Sequence, residues 1–571
     1  MKKELLAFIE ENNLSPFTSE RLNIKSNSIY KTKEAKEIHT KVMDKISSNF
    51  IFYSSSKLLS CFPFTDSKNE IKKRQEFVSS IPKEIDNKFL KELSIPKNNW
   101  KPEYDIIVVT ESDKTFMKLK EMNIPVQLLN SEREILEFES RDLIQVIDVE
   151  QFSSLLEQLP QSVFLSSIND VYLERFLEKL SGWKKNLNLL KEKNSFPEIK
   201  PLVEELLEYL RLIDKNSIKT ISKNEVESSI EKINEEISEK FKLASISGES
   251  LINILRKGTL PSELQKIIEE TISKYDIPFQ VLNRQYPVSI DEEEFDKILQ
   301  RQNAEKFSST SQQMSKFSSQ LKTIPLKIKQ LQAELIYYDF ISGISKFISY
   351  SLHYPNIDEH INLENIENIF LDSPQAISFS LHDEIRCSIL TGANSGGKTT
   401  LLEHIIQTIT LKQLGFPLKG KVTMPLFTEV YYFAKTKGSA SKGAFETLLT
   451  QMSEITPGNK TLILADEIEA VTEPGVAGKI VAATSEYFIN KGCYLVIATH
   501  LGHEIQKILP PKTRIDGIEA KGLDENFELI IDHNPVQGRL AHSTPELIIE
   551  KMANTQNKDY FRFVNEYIKK N

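Results

Sequence analysis

Cysteine is scarce. Only Cys61, Cys387 and Cys493 occur, and none is spaced for pairing. This argues against a disulfide framework or a zinc site and fits a reducing compartment. Long hydrophobic runs are missing as well, since no apolar stretch reaches the length of a membrane span. The opening MKKELLAFIEENN turns acidic after a few apolar residues, unlike a secretory leader. A cytoplasmic protein without a membrane partner is expected. Repeats and low-complexity tracts are absent. A cationic excess is absent too: 72 Lys and Arg face 81 Asp and Glu, for a net charge of −9. That balance does not announce a nucleic-acid binder. The charge is uneven, however, with 18 Lys/Arg against 13 Asp/Glu in residues 1–100. Local basic surfaces can therefore still meet phosphates, although a solvated face is the plainer reading, also for the cluster Lys72, Lys73 and Arg74.

What remains is an ordinary globular composition, 40% hydrophobic and 27% charged over 571 residues, long enough for several cores. Residues 1–100 read as helical. Apolar positions recur at three- and four-residue steps over Ile38–Phe52, and Asp66 is placed to cap a charged helix running to Phe77. Residues 101–150 form a small β-α-β unit, with strands at Tyr104–Thr110 and Ile124–Leu129 around a helix ending near Met122. No glycine fingerprint accompanies it, so no ligand is assigned. Residues 151–350 are helix-rich. One apolar face runs Val226, Ile230, Ile233, Ile237 and Phe241. A longer seam runs Met314, Phe317, Leu321, Ile324, Ile328, Leu331, Leu335 and Tyr338, the spacing of a coiled coil or bundle, with Pro325 expected to kink or break it. Residues 244–300 are less regular, as at the tip of a stalk.

The C-terminal third alternates buried strands (Ile385–Leu390, Thr461–Ala465 and Cys493–Ala498) with helical patterns, the mark of an α/β sheet. Directly after the first strand stands Gly392-Ala393-Asn394-Ser395-Gly396-Gly397-Lys398-Thr399-Thr400. This fits the phosphate-loop pattern G-x-x-x-x-G-K-[ST], and a helix follows, with Gly415 as its stop. Glycines let backbone N–H groups converge on a phosphate, and the helix N-terminus adds its positive dipole end. Lys398 is expected to meet the β- and γ-phosphates of ATP. Thr399 would offer its hydroxyl to Mg²⁺.

The second strand ends in Asp466-Glu467, 68 residues after Lys398. Asp466 is the expected metal-side carboxylate, and Glu467 the general base that deprotonates the attacking water. These paired acids are expected on the strand adjoining the loop's own. His500 ends the third strand and faces the same crevice, placed to sense the γ-phosphate. His404 and His503 read as surface residues.

GANSGGKTT, LILADEIEAVTEPG and VIATH together resemble the ATPase domain of the MutS family, whose members are ABC-type ATPases that dimerise and act on DNA. Ser441–Leu449 resembles the family's trans-acting signature. Ile336–Ser351 with Tyr354-Pro355 resembles its junction to the lever helices, and Asp66–Val78 the start of its core lever domain. The resemblance is specific over about 330–550 and loose over about 40–330. Some positions depart from it. By the phenylalanine register Gly443 stands at the signature serine, leaving Ser441 as the substitute, and Glu469 and Val471 replace glycines after the acids. Both changes imply slower turnover. A lever domain starting near residue 40 leaves no room for a mismatch-reading domain, which points to the branch linked to branched DNA, recombination control or stalled ribosomes.

The expected fold is thus an α/β P-loop (ABC-type) ATPase domain at 351–545, with a mostly helical lever or clamp region and a small β-α-β insertion. Around it lie a helical part at 1–100, the small unit at 101–150, the lever at 151–350 and a helical tail at 546–571. The resemblance implies ATP, Mg²⁺, a homodimer and structured DNA. Rival readings are a ribosome- or RNA-associated ATPase and a nucleotide-gated interaction protein with little hydrolysis.

Overall fold

The structure is a computed structural model. It describes all residues except 19–27, 98–104, 194–196, 215–220, 245–259, 351–352, 393–395, 435–441, 468–473, 524–528, 542–544, 557 and 571. The chain divides into two compact units, one of Met1–Glu92 with Gln332–Asn571, the other of Leu93–Leu331. Among the described residues no helix is long and apolar enough to cross a membrane.

The first unit is built on a six-stranded sheet. In chain order its strands are β1 (Cys387–Gly392), β2 (Glu429–Phe433), β3 (Thr461–Asp466), β4 (Tyr494–Ala498), β5 (Thr513–Leu523) and β6 (Leu529–Gln537). In space the order is β2-β3-β4-β1-β5-β6, all parallel except the β5–β6 pair. The expectation that the acidic pair lies on the strand next to the loop is therefore corrected: β4 stands between β1 and β3. Three apolar runs show three strands, but not which of them pair.

Strands covered on both faces need side chains that are apolar at every position, and alternation then splits them between two cores. Leu390, Leu462, Leu464, Val496 and Ala498 point into one core, and Ile389, Ile463, Ala465, Leu495 and Ile497 into the other. The helix Lys398–Leu414 fills the first. Its side chains are buried from Leu401 to Leu414 save Glu403, which leaves it no polar face. The second core is closed by Ala477, Val481, Phe488 and Ile489 of the helix Pro474–Asn490.

Residues before position 92 belong to this same unit. The buried face Ala35, Ile38, Val42 and Ile46 of the helix Lys33–Ser47 packs into the core that holds Leu401, Leu402, Ile405 and Ile409. Tyr30 adds a parallel backbone bridge to Val430 at the outer edge of β2, and its hydroxyl lies 2.6 Å from Thr410 Oγ1. The helix Lys68–Ser79 is capped by Ser67 rather than Asp66, because it starts one residue later than expected. The basic cluster on that helix divides. Lys72 and Lys73 are exposed, whereas Arg74 is buried and donates to Gln413 O at 2.7 Å, satisfying a carbonyl at the end of Lys398–Leu414. That helix stops at Gly415, which is left-handed at φ 76°.

The second unit contains a four-stranded parallel sheet in the order Val126–Leu128, Ile106–Thr110, Leu143–Val146, Ser162–Phe164. The β-α-β pattern thus continues for two strands, the last of them beyond residue 150. Those strands are short, so their periodicity is weak. Val226, Ile230, Ile233 and Ile237 form a buried face with Ile268, Ile272, Val281 and Phe295. The long seam is not one helix. Glu292–Lys316 ends at Phe317, which is exposed, and Ile324–Ile348 starts afresh with Pro325 in its first turn, where no N–H is needed.

Candidate functional site

The parallel register explains how distant residues meet. Leu390 on β1 pairs with Ala498 on β4, and Ala498 pairs with Asp466 on β3. The three strands therefore end level, and the residues that follow them emerge at one edge of the sheet. At such carboxyl ends an open α/β sheet presents its crevice.

The loop at this edge requires glycine at two places. Gly392 has φ 125°, and a Cβ there would stand 2.2 Å from Ile518 O on β5. Gly397 has φ 92°, and its Cβ would meet His533 Nδ1 at 2.9 Å. Gly397 is the N-cap of Lys398–Leu414, and its carbonyl accepts from Leu401 N at 2.9 Å. Lys398 is only 3% exposed and donates from Nζ to Gly392 O at 2.6 Å, so the ammonium lies folded back along the loop.

The next residue ties the helix to β3. Thr399 Oγ1 donates to Asp466 Oδ2 at 2.6 Å, across a sheet position occupied by β4. Glu467 follows with φ 49°, a left-handed conformation unusual for a side chain of its size. Its N–H is held by Ala498 O at 2.9 Å, and its Oε1 lies 2.7 Å from His500 Nε2. The glutamate is 10% exposed and the histidine 42%, so the pair opens to solvent on the histidine side. Strain of this kind concentrates at working sites.

The structure thus brings Gly392, Gly396, Gly397, Lys398, Thr399, Thr400, Asp466, Glu467 and His500 to one sheet edge. Ala393, Asn394, Ser395, Ser441, Glu469 and Val471 lie outside the described residues, and Gly443 lies within the helix Lys442–Ser453. Among the described residues no group of three or more His, Cys, Asp or Glu is placed to hold a metal. The hard oxygens at hand are Thr399 Oγ1 and the Asp466 carboxylate. A cation completed by substrate phosphates and water needs no more than such a pair from the protein.

Beside the loop lies a cavity of about 430 Å³, lined among others by Asn368, Gln375, Thr400, His404 and His533. His533 Nδ1 is 2.9 Å from Gly396 O, and the backbone N–H of His533 donates to Gln375 Oε1 at 3.1 Å. These residues carry no motif. His533 stands on the antiparallel strand β6, 137 positions from Gly396, and no spacing in the chain links the two.

The expectation that His404 is a surface residue is overturned: it is 3% exposed, because its helix is buried almost all round. Burial lowers its pKa from 6.5 to about 4, against the opposing effect of its hydrogen bond to the Glu367 backbone carbonyl. Between those two values the unfolded chain binds more protons than the folded one. Stability fully present above pH 6.5 is therefore lost as pH falls toward 4, by about 2 kcal/mol at pH 5. Thermal unfolding at pH 7 and pH 5 checks this: the wild type should lose more than His404→Gln, which has no imidazole to protonate.

No model of a known protein family matches the chain. Among individual proteins, the DNA-binding protein MutS2 of Pyrococcus furiosus is 33% identical over 378 residues, 61% of this chain and 66% of the relative. The endonuclease MutS2 of Solidesulfovibrio magneticus is 30% identical over 135 residues, 23% of this chain and 18% of its own length. The DNA mismatch repair protein MutS of Thermotoga maritima is 26% identical over 166 residues, 28% and 20% respectively. The matched region thus spans just under two thirds of the first relative and about a fifth of the other two. On these similarities the chain belongs to the MutS family, among relatives of the MutS2 type.

Proposed function

We propose that this chain is an ATP-hydrolysing clamp that binds structured DNA as a homodimer. The observation that carries the reading is the pairing at one sheet edge: Thr399 on Asp466 at 2.6 Å and Glu467 on His500 at 2.7 Å, beside a glycine loop with a buried lysine. In this reading the region 392–400 is a phosphate loop. Lys398 leaves the Gly392 carbonyl for the β- and γ-phosphates. Thr399 and Asp466 would hold Mg²⁺, which would supply charge neutralisation to the bound triphosphate. Glu467 takes the proton of the attacking water, and His500 orients that carboxylate and contacts the γ-phosphate. The cavity lined by Gln375 and His533 receives the nucleoside. Residues 351–545 act as the ATPase domain, the helices between 151 and 350 as levers, and the region at Ser441 covers the partner's nucleotide. The name of the Pyrococcus relative supports DNA as the partner.

A second reading, a nucleotide gate with little hydrolysis, draws on Gly443 at the signature position. One experiment separates the two and tests the first. Full-length protein is titrated onto linear, mismatched and four-way DNA and onto ribosomal RNA, with and without ATP, while phosphate release is followed. The proposal expects affinity for four-way DNA that depends on ATP and falls steeply with salt, together with DNA-stimulated phosphate release. Binding without release supports the gate. Preference for RNA, or no ATP dependence, overturns the clamp.

A further inference from the structure

The second unit contains a groove of about 930 Å³ that the nucleotide reading does not use. It lies where the segment Ser94–Lys97 crosses the corner between the helices Glu174–Ser181 and Lys184–Glu192. The corner is built firmly. Trp183 is 1% exposed, and Asn186, also 1% exposed, acts as a backbone mimic for the segment. Its Oδ1 accepts from Ser94 N at 3.0 Å, and its Nδ2 donates to Ser94 O at 2.8 Å. Gly182 lets the segment come close, since a Cβ there would stand 2.8 Å from Lys97 O.

The charge in this groove runs against that of the whole chain. Lys97, Arg175, Lys179 and Lys185 line it, with Glu178 as its acid, whereas the net charge of the protein is −9. Among the described residues none of the four cations has a salt bridge. Arg175 is half-buried, with its guanidinium 4.9 Å from the Phe176 ring centre. Burial lowers its pKa, and the attraction of Glu174 opposes that shift. A half-buried cation without a hydrogen-bonded carboxylate is costly to keep, and an anion arriving in the groove offsets the cost.

We propose that this groove holds a stretch of DNA sugar-phosphate backbone. The proposal rests on the reading of the chain as a DNA-binding protein and gives that reading a surface. The groove is far larger than one phosphate needs, and its cations come from three separate elements, as suits a linear polyanion rather than a single ion. Ile95, 74% exposed beside Lys97, and Phe176 present apolar surface to the deoxyribose faces between phosphates. No base-reading geometry is involved, so binding here is independent of sequence.

The test measures DNA affinity of full-length protein by fluorescence anisotropy across a salt series. It compares the wild type, the triple variant Arg175→Gln/Lys179→Gln/Lys185→Gln, and a matched variant, Lys114→Gln/Lys118→Gln/Lys120→Gln, on an exposed helix face of the same unit. Each phosphate contact contributes about −0.9 to the slope of log affinity against log salt. The groove variant is expected to bind about tenfold or more weakly near 0.1 M salt, with a slope shallower by about 2–3, while the matched variant keeps the wild-type slope. ATP affinity should stay the same in all three, as a check on folding, and Arg175→Lys should retain most of the binding. Equal slopes for the groove and matched variants overturn the groove and leave DNA binding standing. Wild-type protein that binds no DNA overturns the reading beneath it. Loss of RNA binding alone in the groove variant overturns DNA as the occupant.

Discussion

Glu467→Gln is expected to lower phosphate release about 10²–10⁴-fold while leaving ATP bound. The argument is geometric. The backbone of Glu467 is pinned at φ 49° by its N–H bond to Ala498 O, which directs its carboxylate toward His500 Nε2 at 2.7 Å. Glutamine has nearly the same shape and can keep a hydrogen bond to the imidazole, so the sheet edge should persist. What it cannot do is accept a proton from water. On the proposed reading Asp466 is committed to the metal, and its Oδ2 already accepts from Thr399. The variant should therefore accumulate the ATP-bound state, seen as retained labelled ATP after gel filtration and as DNA affinity fixed at its ATP-bound value. Unchanged turnover would move the base elsewhere and leave Glu467 as a structural partner of His500.

Much of this site is legible from the chain because its parts are local. A loop between a strand and a helix is contiguous, so Gly392, Gly397 and Lys398 announce themselves. The left-handed backbone at Gly397 is the physical reason for one of those glycines. Asp466, Glu467 and His500 end apolar runs, and strand ends gather at one edge of a parallel sheet. Strand order is harder to read: with both faces buried, β3 and β4 differ little in composition, so the intervening position of β4 cannot be read from either run. The cavity residues Gln375 and His533 are harder still, being single polar residues, one in a loop and one on β6, joined only by the fold. His404 misleads for a related reason. A polar residue in a helix suggests a solvated face, yet this helix is enclosed by the sheet on one side and by Lys33–Ser47 on another. Periodicity shows that Ile38, Val42 and Ile46 face something apolar, but it is silent on a partner more than 350 positions away.

Lys398→Ala should raise the Kd for ATP on the order of 10²-fold or more, about 3 kcal/mol, the usual cost of removing one partner of a buried charge pair. Lys398 is 3% exposed and its ammonium meets the Gly392 carbonyl at 2.6 Å. In the protein without nucleotide this is a charge removed from water, whose desolvation offsets the hydrogen bonds it makes, so its removal should leave the melting temperature close to unchanged. With nucleotide, the same ammonium would be the charge that answers the β- and γ-phosphates in a pocket shielded from water. The two states thus predict opposite effects from one substitution: no loss of stability alone, and a large loss of the stabilisation that ATP adds. Adenosine separates phosphate recognition from everything else, because it lacks the groups Lys398 would meet and should bind wild type and variant alike. Melting curves with no ligand, adenosine and ATP read all three. Equal ATP stabilisation of wild type and Lys398→Ala would mean that the loop does not hold the triphosphate.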